Sequence, residues 1–200
     1  MSLDSYSALK TEIQDWAVRA DIAATVDTLI DLFEAWANRN LRVRQMEAES
    51  TSAATEYMTF PTDYLELRDI QFQSNPRRQL RYVTPEYADL YDSSGATGSP
   101  LYYTVVGGQI RLIPAPDSST SVRISYWQKI PALTSVATSN WLLVSHPDAY
   151  LYGPLFHGLV WAQNPTMAGY IKDGWGRVVD ELQGKGKQSN IGGSLQIRPA

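Results

Sequence analysis

Apolar positions recur with helical spacing from Asp4 to about Arg44: Tyr6, Leu9, Ile13 and Trp16, then Ile22, Val26, Leu29, Ile30, Phe33, Ala37 and Leu41. The spacing predicts two amphipathic helices in a short hairpin, with Asp21 of "RADIAA" as N-cap of the second. After "MEAESTSAATEYM" the period changes to two, in short apolar alternations separated by turn residues. "EYMTF", "LELRDIQF", "RQLRYV" and "SVRISYWQK" read as strands. "LYYTVVGGQIRLIPAP" reads as a hairpin, with Leu101–Val106 and Gln109–Ile113 flanking the pair Gly107–Gly108. In "TPEYADLYD", Thr84 as cap and Pro85 at the first position predict a turn or two of helix.

Helical spacing returns at His146 and runs to about Trp161, and a last helix opens at Pro165. Beyond Gly184 the chain is rich in Gly, Ser and Lys, with isolated Ile191, Leu195 and Ile197, too few to offset the entropy of ordering it alone. The expected fold is α+β. It comprises a helical hairpin over 1–50, an inserted antiparallel β-sandwich or barrel over 51–140, and C-terminal helices over 141–184 that complete a helical bundle. An extended tail follows over 185–200.

Composition narrows the function. The 200 residues include 44% hydrophobic and 19% charged, ordinary for a globular chain, and the net charge of −4 removes any general attraction to phosphate. DNA contact would have to be local. With no cysteine, disulfides, thiolate metal sites and cysteine nucleophiles are excluded. The start of the chain lacks a basic then apolar signal pattern, and no run of about 18 apolar residues is present, so neither signal-peptide secretion nor membrane insertion is expected.

No residue set reads as catalytic, metal-binding or cofactor-binding. In "SHPD", His146 and Asp148 resemble a base and its orienting acid, but the letters fit a helix start better: Ser145 or His146 caps, Pro147 needs no amide partner, and Asp148 faces the positive end. His157, eleven residues on, lacks the short ligand spacing of zinc motifs. Asp27, Asp31 and Glu34 have the spacing of an amphipathic helix's polar face. "LQGKGKQSN" lacks the glycine spacing and following helix of a phosphate loop. Basic residues cluster at Arg39, Arg42 and Arg44 and at Arg77, Arg78 and Arg81, where they would meet a neighbouring subunit or DNA. Six Trp and twelve Tyr serve as core residues or interface anchors.

Taken in order, "YSALKTEIQDWAVRAD", "LIDLFEAWANRNLRVRQME", "FPTDYLELRDI", "YVTPEY", "GSPLYYTVVGGQIRLIPAP", "ISYWQKIPALT" and "NWLLVSHPDAYLYGPL" resemble the head-to-tail adaptor family of tailed bacteriophages, mainly the short-tailed ones. The resemblance implies a non-enzymatic virion protein of the neck between capsid and tail, assembled in the host cytoplasm. It implies a ring of twelve copies beneath the portal protein that receives a downstream tail or nozzle protein. DNA would pass through the channel without sequence-specific binding, and no membrane or cofactor is involved. The C-terminal segment would reach along the portal, with Ile191, Leu195, Ile197 and Arg198 as contacts. Two readings stay open beside it: a glycan-binding or cell-wall-acting tail protein whose aromatics stack sugars, and a DNA-binding accessory factor.

Overall fold

The computed structural model describes residues 3–18, 20–92, 95–117 and 120–190. The described residues form six α-helices: α1 (Tyr6–Ala17), α2 (Val26–Asn40), α3 (Pro85–Tyr91), α4 (Trp141–Ser145), α5 (Pro147–Trp161) and α6 (Pro165–Asn190). Ten strands occur between α2 and α4: β1 (Glu47–Ala53), β2 (Tyr57–Thr59), β3 (Tyr64–Phe72), β4 (Arg78–Gln79), β5 (Arg81–Tyr82), β6 (Thr97–Gly98), β7 (Tyr102–Val106), β8 (Gln109–Ile113), β9 (Ala115–Pro116) and β10 (Ser121–Gln128). The fold is mixed α+β. The chain divides into two compact units, one of Met1–Met46 with Ile130–Ala200 and one of Glu47–Lys129.

In the helical unit α5 packs against α1, α2, α4 and α6. Its sequence PDAYLYGPLFHGLVW is apolar on most sides, as a helix with several neighbours requires, and Ala149, Tyr150, Leu151, Leu155 and Leu159 are buried. Close approach to α2 depends on small residues. A Cβ on Gly153 would fall inside the Phe33 ring, and one on Gly158 would lie 3.0 Å from Leu29 Cδ1 of α2 and 2.8 Å from Ile22 Cδ1 just before that helix. Phe33 is 1% exposed, a burial that contributes about 1.5–3 kcal/mol. Its ring meets Tyr150 edge-on at 4.9 Å, and Trp36 meets Trp175 of α6 at 4.7 Å.

Helix starts follow local chemistry. Ser5 Oγ accepts from Ala8 N at 3.3 Å to begin α1, and Asn140 Oδ1 accepts from Leu143 N at 2.9 Å to begin α4. At α5 Pro147 takes the first position and Asp148 the first turn, but the capping position, His146, makes no side-chain capping bond. His146, one of the two expected caps, thus holds the position without supplying a side-chain acceptor. Asp21 does not cap α2 either: it falls in a 3-10 turn over Ala20–Ala24, and α2 begins after Thr25.

α6 continues to Asn190, six residues past the Gly184 at which an extended tail was expected. Each glycine costs a helix about 1 kcal/mol relative to alanine, but extending an existing helix avoids the nucleation penalty, so Gly184 and Gly186 do not end it.

The β unit contains two four-stranded sheets, ordered β1-β10-β3-β4 and β2-β8-β7-β5, and a short β6-β9 pair. Both four-stranded sheets contribute to one core of Met58, Ile70, Phe72, Leu80, Ile110, Leu112, Val122, Ile124 and Tyr126. Neither sheet closes on itself, so among the described residues there is no barrel. β4 and β5 have two residues each, and Leu80 between them donates to Ile70 O, too short a stretch to close a sheet. β5–β7 and β6–β9 pair in parallel, against the antiparallel expectation. The β7–β8 hairpin turns at Gly107 and Gly108, whose φ of 59° and 75° are the two positive angles of a type I′ turn. α3 begins at Pro85 after Thr84. Its last turn is tied to the second sheet by Arg111, which meets Asp89 at 2.8 Å and Asp92 at 2.5 Å.

Candidate functional site

The carboxylates on α2 part company in space. Asp27 accepts from Tyr6 Oη at 2.7 Å and pairs with Lys10 at 2.6 Å; Lys10 and then Tyr6 hold its carboxyl below the usual range. Glu34 departs from the polar-face expectation. It is 6% exposed, because it lies four residues after Ile30 at the margin of the apolar stripe. Its Oε1 accepts from Leu133 N and from Tyr150 Oη, each at 2.9 Å, and burial raises its pKa. Asn140 Nδ2 donates to Tyr150 Oη at 2.6 Å and to Pro131 O at 2.7 Å. These bonds join α2, α5 and the 130–140 loop, and all their partners are internal. The network is a structural clamp and presents no atom to a substrate.

His157 is half-buried beside Phe156 and Trp175, at 5.5 and 6.0 Å between ring centroids, and burial lowers its pKa. Among the described residues no group of three or more His, Cys, Asp or Glu is placed to hold a metal ion. No described helix is long and apolar enough to cross a membrane.

The two arginine clusters fall in different units. Arg39 is exposed in the last turn of α2, Arg42 donates to the Asn38 and Leu41 carbonyls at that helix end, and exposed Arg44 opens a 3-10 turn. Arg77, Arg78 and Arg81 are all exposed along β4, β5 and the turn before them. No ion pair forms at these three among the described residues. Beside them, Tyr82 is 56% exposed with its ring 5.6 Å from Tyr103, and a shallow pocket of about 250 Å³ is lined by Arg78, Gln79, Arg81, Leu101 and Tyr102. Ile191, Leu195, Ile197 and Arg198 lie outside the described residues.

A second surface is absent from the sequence reading. The face of β1, β10 and β3 turned away from the core carries an open groove of about 570 Å³ lined by Glu47, Glu49, Arg68, Asp69, Gln71, Arg123 and Ser125, with Ala48 and Tyr126 beneath. Arg123 reaches Gln71 Oε1 at 2.7 Å and Glu49 at 3.4 Å; Arg68 pairs with Glu47 at 2.7 Å and lies 5.1 Å from the Trp127 ring. The visible signal was the alternation of Arg123, Ser125 and Trp127 with Val122, Ile124 and Tyr126 along β10. The polar partners on β1 gave none.

Apolar surface is also exposed where α5 turns into α6, including Trp161 at 53% and Tyr170 at 70%. The described surface therefore offers recognition chemistry, basic, acidic and aromatic. No curated protein matches the chain. The family model described as SU10 adaptor protein matches residues 4–193, nearly the whole sequence, and the chain belongs to that family of phage head-to-tail adaptors.

Proposed function

We propose that the chain is a structural connector without catalytic activity. Twelve copies pack side by side as a ring in the virion neck beneath the portal, join capsid to tail, and extend the channel through which DNA passes. The family match over residues 4–193 carries this reading. The exposed aromatic surface supports it, because a closed ring of identical subunits needs two unlike adhesive patches on each copy. Helices from both ends of the chain form the bundle, and the two sheets with their common core form an inserted sandwich. Ile191, Leu195, Ile197 and Arg198 contact the portal, the docking of apolar side chains offsetting the entropy of ordering the segment. Arg39, Arg42 and Arg44 serve neighbouring subunits.

The test is to mix the purified protein with the portal ring encoded in the same genome and to measure the mass of the complex by light scattering during gel filtration. A discrete increment of twelve chains is expected, and it disappears when residues 191–200 are removed while the truncated chain stays folded. A folded chain that leaves an intact portal ring unchanged in mass rules this function out.

A further inference from the structure

The arginines of the β unit sort into two groups. Arg68 pairs with Glu47, Arg123 with Glu49, and Arg111 with Asp89 and Asp92. Arg77, Arg78 and Arg81 pair with no described acid, although acidic residues outnumber basic ones across Glu47–Lys129. Asp69 is bonded to this stretch through Gln79, its two oxygens accepting from Gln71 and Gln79 at 2.7 Å each. Its single charge leaves the three closely spaced guanidinium groups net positive.

The core fixes how these groups are presented. From Asn75 to Tyr82 every residue is exposed except Leu80, which is 4% exposed, belongs to the core of the β unit and donates its amide to Ile70 O at 2.9 Å. On one side of this anchor β4 pairs with β3, and on the other β5 pairs with β7, where Arg81 N donates to Leu101 O at 3.1 Å. An extended chain sets Arg78 and Arg81 about 10 Å apart. Tyr82, 56% exposed, adds a phenolic hydroxyl to the row.

We propose that this ledge binds the phosphodiester backbone of duplex DNA through Arg77, Arg78 and Arg81, without reading base sequence. A guanidinium group matches phosphate oxygens with paired hydrogen bonds, and phosphate contacts accumulate one by one without a large buried area. A protein partner needs more, about 20–30 residues a side. The ledge offers seven exposed residues beside a shallow pocket of about 250 Å³. A single strand needs a track of open ring faces, but Tyr91 stacks on Tyr102 at 4.8 Å and Tyr82 meets Tyr103 at 5.6 Å. Acids elsewhere on the unit repel a polyanion and confine it to the ledge. The contact goes beyond the connector reading, which requires only that DNA pass, and a single free copy makes it.

The test is fluorescence anisotropy of a labelled duplex of about 20 base pairs titrated with the full chain. Between 50 and 200 mM NaCl, three phosphate contacts give a slope of about −2.7 in log K against log salt, a loss of about 40-fold. Two duplexes of unrelated sequence should bind alike. Arg78→Gln with Arg81→Gln should flatten the slope to about −0.9 and weaken binding at 50 mM salt at least tenfold. These side chains have no described acid partner to lose, and circular dichroism checks the fold. Arg39→Gln with Arg44→Gln, in the helical unit, should change neither slope nor affinity.

No binding at 50 mM salt by the folded chain overturns the proposal, as does a slope that the ledge variant leaves unchanged. Loss of binding in the Arg39→Gln, Arg44→Gln variant alone would place the contact in the other cluster. Tighter binding of a single strand, abolished by Tyr82→Ala, would make the ledge a base-stacking site instead. If the ledge variant binds duplex as the parent does but no longer adds mass to the portal ring, the ledge serves a protein partner. Failure of the parent to bind the portal, with the salt slope as expected, would defeat the connector reading and leave the DNA contact standing.

Discussion

Tyr150 Oη donates to Glu34 Oε1 at 2.9 Å across 116 residues of chain, and the same carboxylate oxygen accepts the Leu133 amide. Four residues along α2, Asn38 Oδ1 accepts the Ile130 amide at 2.8 Å. One face of α2 thus holds the segment by which the chain returns to the helical unit, using two side chains one helical turn apart.

Tyr150→Phe keeps the ring against Phe33 but leaves Glu34 with one donor and removes an acceptor from Asn140. The expected loss is about 1–3 kcal/mol, the cost of under-satisfied buried polar groups. Urea denaturation measures it. Asn140→Ala combined with Tyr150→Phe should cost less than the two single losses together, since both cut the same network; strict additivity would show that the clamp does not act as one unit.

Two titratable groups in the helical unit, half-buried His157 and buried Glu34, give stability slopes of opposite sign. Burial puts His157 below its ordinary value of 6.5, so the unfolded chain takes up the proton first and stability falls as pH drops below about 6.5. Burial puts Glu34 above its ordinary value of 4.5, so its contribution is fully present below that pH and is lost as pH rises through its folded value. Denaturation of His157→Leu across pH 5 to 7.5 should lack the acid-side loss seen in the parent. Glu34→Gln should lack the loss on raising pH from about 4.5. Identical slopes in parent and variant would remove that group from the linkage.

Legibility in the sequence followed the range of the interactions. The Gly107–Gly108 turn, the Pro85 start of α3 and the Pro147 start of α5 depend on one or two adjacent residues, and each could be read directly. Strand β1 could not. EAESTSA contributes mostly polar side chains at an edge and is held by backbone pairing to β10, some 70 residues away. Glu34 occupies a position that the helical period assigns to the margin of the core, but its residue type masked this, and the donors that make burial tolerable lie about 100 residues downstream. The charged groove is likewise assembled from three strands, of which only β10 shows its two faces in its own letters.

The hairpin gives a local test. Gly107 and Gly108 have positive φ and open space where a Cβ would stand, so only backbone conformation opposes substitution. Gly107→Asn, a residue that tolerates this region, should change stability little. Gly108→Val should cost about 1–2 kcal/mol or more in thermal denaturation, because a β-branched residue is strained at φ 75°. Equal effects of the two changes would mean that the turn does not hold the type I′ geometry.

Gly153 and Gly169 separate helix propensity from packing. Both are helical, and replacing either by alanine improves intrinsic propensity by about 1 kcal/mol. At Gly169 of α6 nothing lies within 4 Å of the added Cβ, so Gly169→Ala should stabilise by about 0.5–1 kcal/mol. At Gly153 the same methyl group falls inside the Phe33 ring, which is itself hemmed in by Tyr150 at 4.9 Å and Trp175 at 6.5 Å. Phe33 cannot move aside without disturbing both rings. Overpacking of this kind costs about 1–3 kcal/mol and outweighs the propensity gain, so Gly153→Ala should lower the melting temperature where Gly169→Ala raises it. Adding Phe33→Leu to Gly153→Ala should recover part of the loss by vacating the ring's volume, whereas Phe33→Leu alone should destabilise. If Gly153→Ala instead stabilised the protein as Gly169→Ala does, the close approach of α5 to α2 would be refuted.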